Sequence, residues 1–536
     1  MDREALVIGL DGATWDILRP AIDQGYLPTL ESMIDDGFHG DMESTLPPIT
    51  PVAWTSFMTG VNPGKHGISG FAQPSHNGNE YEFSLNDSQD ISTNTIWEYL
   101  SERGCSVVSL NLPMTYPSFE VNGALISGLM TPNERQQFTY PPELQDELLE
   151  QDFKPFIKHV AGKLSECESK DEYKQRVDEM CELVEKKFDQ AYYIDDQQDW
   201  DVFFMQIQET DAIQHFLMGF YEAEHDWYDE EMTEYIYENF YGVIDQRLGE
   251  MIETIGEDAL TIVLSDHGFQ TCDRVVYLGN WLHDEGFAEP STKGVLYKSA
   301  IDTIKKLDVL GLRRHLKSGR KIAKQKESFT VDWSKSDAIS IGAGNNPIAP
   351  IYILAEGDRR DNIQDKLVQK LKEFTDPKTG EKVVEEVIID ENAYTGRYFD
   401  GMPDVLVKGK SGYTFRTTFH SEEPTIVDLL EKTNRPGVHH RSGMFIGTSP
   451  DTKSGGYQVN GNLIDLFPTL VYYLDEPIPN YLDGTILDIF TDEFRNDVEE
   501  NWSEVPSNRD TDISHVYSEE DEEDLKDTLS QLGYID

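Results

Sequence analysis

Short apolar runs that alternate with helical patterns limit what this chain can fold into. The runs have the length and composition of buried strands and lie at residues 5–10, 105–110, 201–207 and 259–266. Between several of them the apolar residues recur at the spacing of a helix, over residues 94–103, 172–191 and 230–255. Strands that are apolar on both faces and are connected through helices form parallel sheets with helices on both sides. The sequence therefore predicts an α/β fold with a largely parallel central sheet.

The second half of the chain continues this pattern. We expect strands at 350–354, 404–408 and 443–446, and then a helix over 463–474 that closes the core. No apolar run approaches the roughly 18 residues that cross a bilayer, and the first residues lack the basic stretch and the cleavage site of a signal peptide. The four cysteines are too widely spaced for a disulfide framework. These features predict a cytoplasmic protein with reduced cysteines and no transmembrane segment.

The charge balance is strongly acidic, because 45 Lys and Arg face 100 Asp and Glu for a net charge of −55. The 25 Phe, 25 Tyr and 8 Trp nevertheless indicate a packed core rather than a disordered chain. Evenly spread carboxylates suit concentrated salt, where screening over roughly 3 Å at 1 M reduces self-repulsion. We therefore expect a halophilic protein without general nucleic-acid binding, since the phosphate backbone would be repelled.

Two segments differ from the rest in composition. Residues 293–326 are rich in Lys and Arg, which predicts an inserted basic helical segment. It is either a solvated connection or a flap that attracts an anionic substrate or lipid. The acidic residues 491–536 carry an apolar stripe of Val516, Leu525, Leu529 and Leu532, which predicts a linker and a docked helix. Residues 1–490 are then expected to form the catalytic domain.

Carboxylates and imidazoles follow three of the predicted strands. Asp11 comes directly after the first strand, and Asp266 and His267 end the fourth run. After the third run, Asp211 and His215 are four residues apart, so that both project from one face of a helix. Parallel sheets bind ligands beyond the carboxyl ends of their strands, and mixed Asp and His sets bind zinc, manganese or iron. One such pair is more often a hydrogen-bonded turn, but its recurrence at three strand ends predicts a metal site.

Thr50 is the candidate nucleophile. It precedes Pro51 and a run with helical spacing, which predicts Thr50 at the N-cap and Pro51 at the first helical position. The positive end of a helix dipole and free backbone N–H groups suit a phosphate oxygen beside this hydroxyl. A plain helix cap is the alternative. The nearby GVNPGKHG is not a phosphate-binding P-loop, because its spacing is one residue short and neither Ser nor Thr follows Lys65.

Five motifs in order resemble those of a known family: GLDG, TPxxWTSFMTGxxPxxHGI, TDxxxH, SDHG and GVHHRSG. The set resembles the alkaline phosphatase superfamily, and within it the type I phosphodiesterase and nucleotide pyrophosphatase branch. The resemblance covers most of residues 5–490. It implies a phosphohydrolase with two divalent metal ions, commonly zinc and alternatively manganese, that acts on a small anionic phosphoester. It is far more specific for the superfamily than for the substrate.

The resemblance also implies a role for each matching residue. One ion would be held by Asp211, His215 and His439. The other would be held by Asp11, Asp266 and His267 together with the hydroxyl of Thr50. His439 fits the spacing to Gly443 better than His440, which stays an alternative. Thr50 would attack phosphorus in line and form a phosphothreonine intermediate. A bound cation would explain how Asp266 and His267 can end a buried strand.

The substrate is less constrained than the site. Ala53 stands where many relatives that cleave nucleotides have Asn, which puts nucleotide specificity in doubt. Trp54 could offer the substrate a stacking surface or simply fill the core. Between Asp11 and Gly70 the only arginine is Arg19, which predicts a preference for phosphodiesters over the more highly charged monoesters.

Other functions compete with this prediction. The alternatives within the superfamily are a phosphomutase and a phosphomonoesterase, whereas a sulfatase would need a modified Cys or Ser in place of Thr50. A catalytically inactive metal-binding surface or assembly protein is the alternative of another class. It is disfavoured because all the expected ligands are present.

Overall fold

The fold is seen in a computed structural model of the chain. The structure describes residues 3–76, 81–151, 163–290, 331–342, 346–417, 423–429, 434–507 and 516–532, together with 153, 344, 419, 420, 509 and 534. The basic segment predicted at 293–326 lies outside the described residues.

A ten-stranded sheet forms the centre of the described structure. Across the sheet the strands are Tyr457–Gln458, Phe38–Glu43, Ser442–Thr448, Leu260–Leu264, Ala5–Leu10, Val202–Ile207, Val107–Leu112, Gly123–Ser127 and Thr139–Tyr140, with Gly461–Asn462 also paired to Phe38–Glu43. The five strands from Leu260–Leu264 to Gly123–Ser127 are parallel. The predicted α/β fold with a largely parallel sheet is confirmed.

The strand Ser442–Thr448 departs from the parallel pattern. It lies inside the sheet and runs antiparallel to both of its neighbours, Phe38–Glu43 and Leu260–Leu264. The preceding strand, Gly437–His440, pairs with the chain just after Leu260–Leu264, at the carboxyl ends of the parallel strands. A strand that starts at this edge can enter the sheet only by running back against its parallel neighbours.

The register of the parallel strands brings their carboxyl ends to one edge. Gly9 pairs with Gln206 on one side and with Leu264 on the other. The residues that follow these strands therefore leave the sheet side by side. This places the segments after Leu10, Ile207 and Leu264 at the same edge, as the sequence predicts.

Two smaller sheets pack beside the central one. The strand Gly268–Tyr277 pairs with Gly412–Arg416, Ile426–Asp428 and Gly437–His440. An antiparallel sheet contains Ala338–Ile339, Ile348–Ile353, Val405–Gly409 and Val384–Ile389. The helix Asp358–Glu373 buries Ile363, Leu367 and Leu371 against this second sheet, in a hydrophobic cluster separate from the main core. Two short strand pairs, Ala72–His76 with Tyr81–Leu85 and Ile478–Pro479 with Trp502–Ser503, complete the described strands.

The helices cover the sheet and its edges. The described α-helices are Trp15–Asp23, Pro28–Asp36, Thr50–Thr59, Pro63–His66, Ile96–Ser101, Leu144–Glu150, Lys170–Gln197, Glu209–Tyr221, Glu230–Ile236, Gly242–Ile255, Leu278–Asp284, Asp358–Glu373, Asp390–Ala393, Leu466–Tyr473, Asp492–Asp497 and Glu519–Leu532. The helical pattern at 230–255 contains a π-helical turn at Tyr237–Tyr241 between two α-helices. Within the described ranges, no helix is both long and apolar enough to span a membrane. All four cysteines are free thiols.

The last described helix lies against the main core. Glu519–Leu532 begins after Ser518, whose hydroxyl accepts from the backbone N–H of Asp521 at 3.2 Å. Leu525, Leu529 and Leu532 are buried in the main hydrophobic cluster, and Val516 is partly buried against it. The apolar stripe noted in the sequence is therefore the packed face of this helix.

Candidate active site

Three carboxylates that follow parallel strands meet at the carboxyl edge of the sheet. Asp11, Asp211 and Asp266 are each fully buried, with 0% of their surface exposed. Gly12 turns the chain directly after Asp11 with a φ of +68°, a conformation that favours glycine. Its backbone N–H donates to Asp266 Oδ1 at 3.0 Å, which ties the ends of two neighbouring strands together.

Three histidines reach the same place by different routes. His267 follows Asp266 directly, and His215 lies one helical turn after Asp211 in Glu209–Tyr221. His439 arrives from far along the chain because its strand is antiparallel to Gly268–Tyr277, which stacks its ring on His267 with 3.8 Å between centroids. The neighbouring His440 is exposed, and its Nδ1 accepts from the backbone N–H of Ser442 at 3.2 Å.

Each of the three carboxylates has one oxygen held and one oxygen free. Asp11 Oδ2 accepts from Trp54 Nε1 at 2.9 Å and from Gln206 Nε2 at 2.7 Å. Asp266 Oδ1 is held by Gly12, and Asp211 Oδ2 accepts from the phenol of Tyr534. The other oxygens, Asp11 Oδ1, Asp211 Oδ1 and Asp266 Oδ2, have no hydrogen-bond partner in the described structure. Buried carboxylate oxygens without partners are costly, which is expected where a cation binds.

The three imidazoles are oriented in the same way. His215 Nδ1 lies 3.0 Å from Gly437 O, His267 Nδ1 lies 3.2 Å from Gly268 O, and His439 Nδ1 lies 2.9 Å from Pro48 O. A carbonyl can only accept, so Nδ1 carries the hydrogen and the neutral ring presents its lone pair at Nε2. His439 Nε2 and His215 Nε2 face each other at 3.2 Å. Two lone pairs at this distance repel each other unless a metal ion or a proton lies between them.

Gly437 permits one of these contacts. A Cβ atom there would lie 2.1 Å from the carbonyl oxygen of Gln214 and 3.0 Å from the Cα of His215. Only glycine lets the strand Gly437–His440 approach the helix Glu209–Tyr221 this closely. The approach brings the carbonyl of Gly437 to the ring of His215.

The potential ligand atoms form two groups that share one residue. Asp211, His215 and His439 can each offer an atom such that all three lie within 4.8 Å of one another, and so can Asp11, Asp211 and His267. Asp211 thus lies between two candidate cation positions. Asp266 is not in either group, although its Oδ2 lies 3.4 Å from His267 Nε2.

The electrostatics of the site favour a cation. Burial raises the pKa of Asp11 well above its usual value, and the carboxylates of Asp266 and Asp211 raise it further. Burial likewise raises the pKa of Asp266. Burial also acts to raise the pKa of Asp211, but the imidazoles of His215 and His439 lower it below its ordinary range. Burial lowers the pKa of His215 to about 3, so this ring is neutral at pH 7. A divalent cation would neutralise the carboxylates and accept the imidazole lone pairs.

Thr50 begins the helix that faces this group. The predicted N-cap position is wrong by one residue: Ile49 is the N-cap, with extended backbone, and Thr50 and Pro51 form the first turn of Thr50–Thr59. Proline is tolerated there because its missing N–H has no partner within the helix. The hydroxyl of Thr50 is buried and has no hydrogen-bond partner among the described residues. Pro48, two residues before Thr50, accepts from His439, which ties this turn to the histidines.

Trp54 lies in the core rather than at a surface open to substrate. It is fully buried, and its ring makes edge contacts with Phe57 and Phe204 at 5.5 and 5.7 Å between centroids. Its indole N–H holds Asp11, so its direct contribution is to orient a carboxylate. The stacking surface considered from the sequence is therefore not presented to substrate in this structure.

Several further residues were not predicted from the sequence. Gln206 and Gln208 flank the end of the strand Val202–Ile207, and the only signal they gave is a polar side chain within or beside an apolar run. Arg435 is buried near the site, where burial lowers its pKa to about 10 while Asp211 and Tyr534 raise it. Tyr534 comes from the last described segment and gave no local signal at all.

Solved structures with a similar fold are known. The structure resembles phosphonoacetate hydrolase from Sinorhizobium meliloti 1021 with a TM-score of 0.55 and 16% identity, covering 88% of this chain and 95% of that one. It also resembles murine ectonucleotide pyrophosphatase / phosphodiesterase 5 with a TM-score of 0.50 and 15% identity, covering 92% of this chain and 100% of that one. At these identities the likeness shows the fold alone. A search of curated proteins by sequence found no match.

The family comparison is more specific than the structural one. The family model of type I phosphodiesterase / nucleotide pyrophosphatase matches residues 5–457. The match includes Thr50 and every potential metal ligand described above. The chain therefore belongs to the type I phosphodiesterase / nucleotide pyrophosphatase family of hydrolases.

Proposed function

We propose that the protein is a metal-dependent hydrolase of phosphodiester or pyrophosphate bonds that works through a covalent phosphothreonine at Thr50. The observation that carries the proposal is the arrangement of donor atoms. Three carboxylate oxygens without hydrogen-bond partners in the described structure and three imidazole Nε2 atoms converge beside a buried, unpartnered hydroxyl.

The residues divide into holding groups and a reacting group. Asp211, His215 and His439 would hold one divalent cation, and Asp11, Asp266 and His267 would hold the other, with Asp211 close enough to serve both. Bound cations supply positive charge that lowers the pKa of a nearby alcohol and offsets the charge of phosphoryl oxygens. Zinc fits the mixed Asp and His donors, and manganese is the other candidate.

Thr50 would then attack the phosphorus atom. Its Oγ1 forms a bond to phosphorus as the bond to the leaving oxygen breaks, and the proton of the hydroxyl passes through solvent to the leaving oxygen. The positive end of the dipole of Thr50–Thr59 lies at Thr50 and favours the negative oxygens of the phosphoryl group. Water later attacks the phosphothreonine, releases the phosphorylated product and restores the hydroxyl of Thr50.

Arg435 supports a second candidate, a phosphomonoesterase. A monoester carries an additional negative charge, and the sequence shows no arginine close to Thr50 along the chain. The structure brings Arg435 from the second half of the chain into the electrostatic field of Asp211. Its buried Nε has no hydrogen-bond partner within the described ranges. Such a group could meet the charge of a monoester.

A hydrolysis panel on metal-depleted and reconstituted protein tests the proposal. The panel contains bis-p-nitrophenyl phosphate, p-nitrophenyl phosphate, a nucleotide sugar and p-nitrophenyl sulfate, each with zinc, manganese or chelator. We expect diester or pyrophosphate hydrolysis that requires the added ion. Activity on the sulfate ester alone, or tight ion binding without hydrolysis of any phosphoester, would contradict the proposal. The latter result would instead identify a metal-binding protein without catalysis.

A further inference from the structure

Tyr534 enters the site from the segment that follows the helix Glu519–Leu532. Its side chain is buried, and its ring stacks on Phe71 with 4.9 Å between centroids. The same ring makes an edge contact with His215 at 5.9 Å. Burial and the Asp211 carboxylate raise the pKa of the phenol well above its usual value, and the nearby Thr50 hydroxyl opposes this shift. The ring therefore lies beside His215, one of the candidate metal ligands.

The direction of each hydrogen bond at the phenol follows from its partners. Gln208 Nε2 lies 2.8 Å from the phenolic oxygen, and an amide nitrogen can only donate. The phenolic hydrogen is thus left for Asp211 Oδ2, which as a carboxylate can only accept. Gln208 is itself fixed, because its Oε1 accepts from Gln206 Nε2 at 3.0 Å. Since Gln206 also holds Asp11, one chain of hydrogen bonds connects Asp11 with Asp211.

The contact with Asp211 completes a pattern that the other two carboxylates already show. Trp54 and Gln206 hold one oxygen of Asp11, and the backbone of Gly12 holds one oxygen of Asp266. In each case the second oxygen stays without a hydrogen-bond partner in the described structure. Groups that fix a ligand's orientation in this way typically raise metal affinity about 10- to 100-fold.

The segment that carries Tyr534 is anchored on both sides of its helix. Before the helix, Tyr517 donates to the carbonyl of Met130 at 2.9 Å and stacks on Tyr116. At the helix end, Arg435 donates to the carbonyl of Leu532, and the backbone N–H of Tyr534 donates to Leu529 O at 2.9 Å. Leu525 and Leu529 are buried between these anchors. The phenol is therefore held in place by the packing of the whole segment.

We propose that Tyr534 is a positioning residue of the metal site, which fixes the outer oxygen of Asp211 so that its inner oxygen faces the cations. Tyr534 then acts on the metal site, while the helix Glu519–Leu532 and Tyr517 serve to hold its segment in place. This inference rests on the proposed function, because it assigns Asp211 to the ligands of a divalent ion. It concerns metal affinity first and turnover only as a consequence.

The test compares two substitutions that each remove one buried phenolic hydroxyl from the same segment. Tyr534→Phe keeps the ring on Phe71 but releases Asp211, whereas Tyr517→Phe removes the hydrogen bond to Met130, away from the site. Zinc and manganese affinities are measured on metal-depleted full-length protein by competition with a chromophoric chelator. We expect Tyr534→Phe to lower the affinity for at least one of the two ions about 10- to 100-fold. Tyr517→Phe should bind both ions with the affinity of the wild type.

The remaining outcomes separate this inference from the proposed function. A wild-type protein that binds no ion overturns both. If the wild type binds two ions and Tyr534→Phe binds them equally well, only the positioning role is overturned. Faster turnover of Tyr534→Phe with unchanged affinities also overturns it and shows that the phenol obstructs the substrate. An equal loss of metal affinity in both variants would overturn the positioning role, because it would show a general effect of loosening the segment. Melting temperatures are therefore recorded for each variant.

Discussion

His439 lies opposite Phe269 in an antiparallel strand pair, and this pairing decides which of two adjacent histidines enters the site. Successive side chains of a strand point to opposite faces. His439 is 3% exposed, with its Nε2 at 3.3 Å from Asp211 Oδ1, while His440 points away and is exposed. Two neighbouring residues of the same type therefore form a natural matched pair for mutation.

Replacing His439 by Ala is expected to abolish tight binding of one ion. Removing a direct ligand should cost more than the roughly 10- to 100-fold that is typical for groups behind a ligand, so turnover at limiting metal should fall at least as far. His440→Ala should leave affinity and turnover near the wild-type values. Metal titration and initial rates on both variants check this. The reverse ranking of the two variants would assign the ligand role to His440.

Thr50 should be required for turnover but not for metal binding. Thr50→Ala removes the hydroxyl that attacks phosphorus in the proposed mechanism, and we expect a loss of more than about 10⁴-fold in kcat, as for other covalent nucleophiles. Thr50→Ser keeps an alcohol at this position and should keep measurable activity. Intact-mass spectrometry after acid quench should find a phosphorylated adduct in the active forms alone. An active Thr50→Ala variant would refute covalent catalysis by this residue.

The sequence was informative wherever chemistry follows a local pattern. Asp11 and Asp266 could be placed together because parallel strands end at one edge, and Asp211 and His215 because a helix puts residues four apart on one face. Periodicity could not reveal Tyr534 or Arg435, because their positions depend on how distant segments pack. Trp54 was ambiguous for a related reason, because the local sequence is the same whether the indole is buried in the core or exposed for stacking on a substrate. The helix start at Thr50 was displaced by one residue, which is the usual uncertainty of such boundaries.

Phosphodiesters should be better substrates than phosphomonoesters. Three buried carboxylates surround the site, and a monoester brings one more negative charge than a diester. We expect kcat/KM for bis-p-nitrophenyl phosphate to exceed that for p-nitrophenyl phosphate by at least about 10-fold, which corresponds to ~1.4 kcal/mol. Arg435→Gln serves as the comparison, because Arg435 is the buried cation that could favour a monoester. A monoester preference in the wild type that disappears in Arg435→Gln would favour the monoesterase instead.

His66 should make the protein sensitive to acid independently of its metal ions. It is fully buried beside the Thr50–Thr59 helix, and burial lowers its pKa to about 3. The backbone N–H of Ile68 donates to Nδ1 at 3.1 Å, so the hydrogen lies on Nε2 and is directed at Ser56 Oγ, 2.9 Å away. Protonating Nδ1 would break the first of these hydrogen bonds. The folded protein therefore keeps His66 neutral.

The sign of the pH dependence follows from this lowered pKa. An unfolded chain takes up a proton at His66 below about pH 6.5, whereas the folded protein does so only near pH 3. The stability associated with neutral His66 is present above pH 6.5 and is lost as the pH falls toward 3. Between about pH 6.5 and pH 3, His66 should lower the free energy of unfolding by about 1.4 kcal/mol for each unit by which the pH falls.

Urea unfolding of wild type, His66→Asn and His440→Asn between pH 7.5 and 5, at constant salt and metal, measures this contribution. His66→Asn should be less stable than the wild type at pH 7.5, where the neutral imidazole makes both of its hydrogen bonds. The Asn side chain can still accept from Ile68 but cannot be protonated there, so this variant should lose less stability on acidification. The gap between His66→Asn and the wild type should therefore narrow as the pH falls. His440→Asn makes the same substitution at an exposed histidine and is the control, so its curve is expected to parallel that of the wild type. Parallel curves for all three proteins would show that His66 is not held neutral, because a residue that titrates equally in both states cannot change the slope.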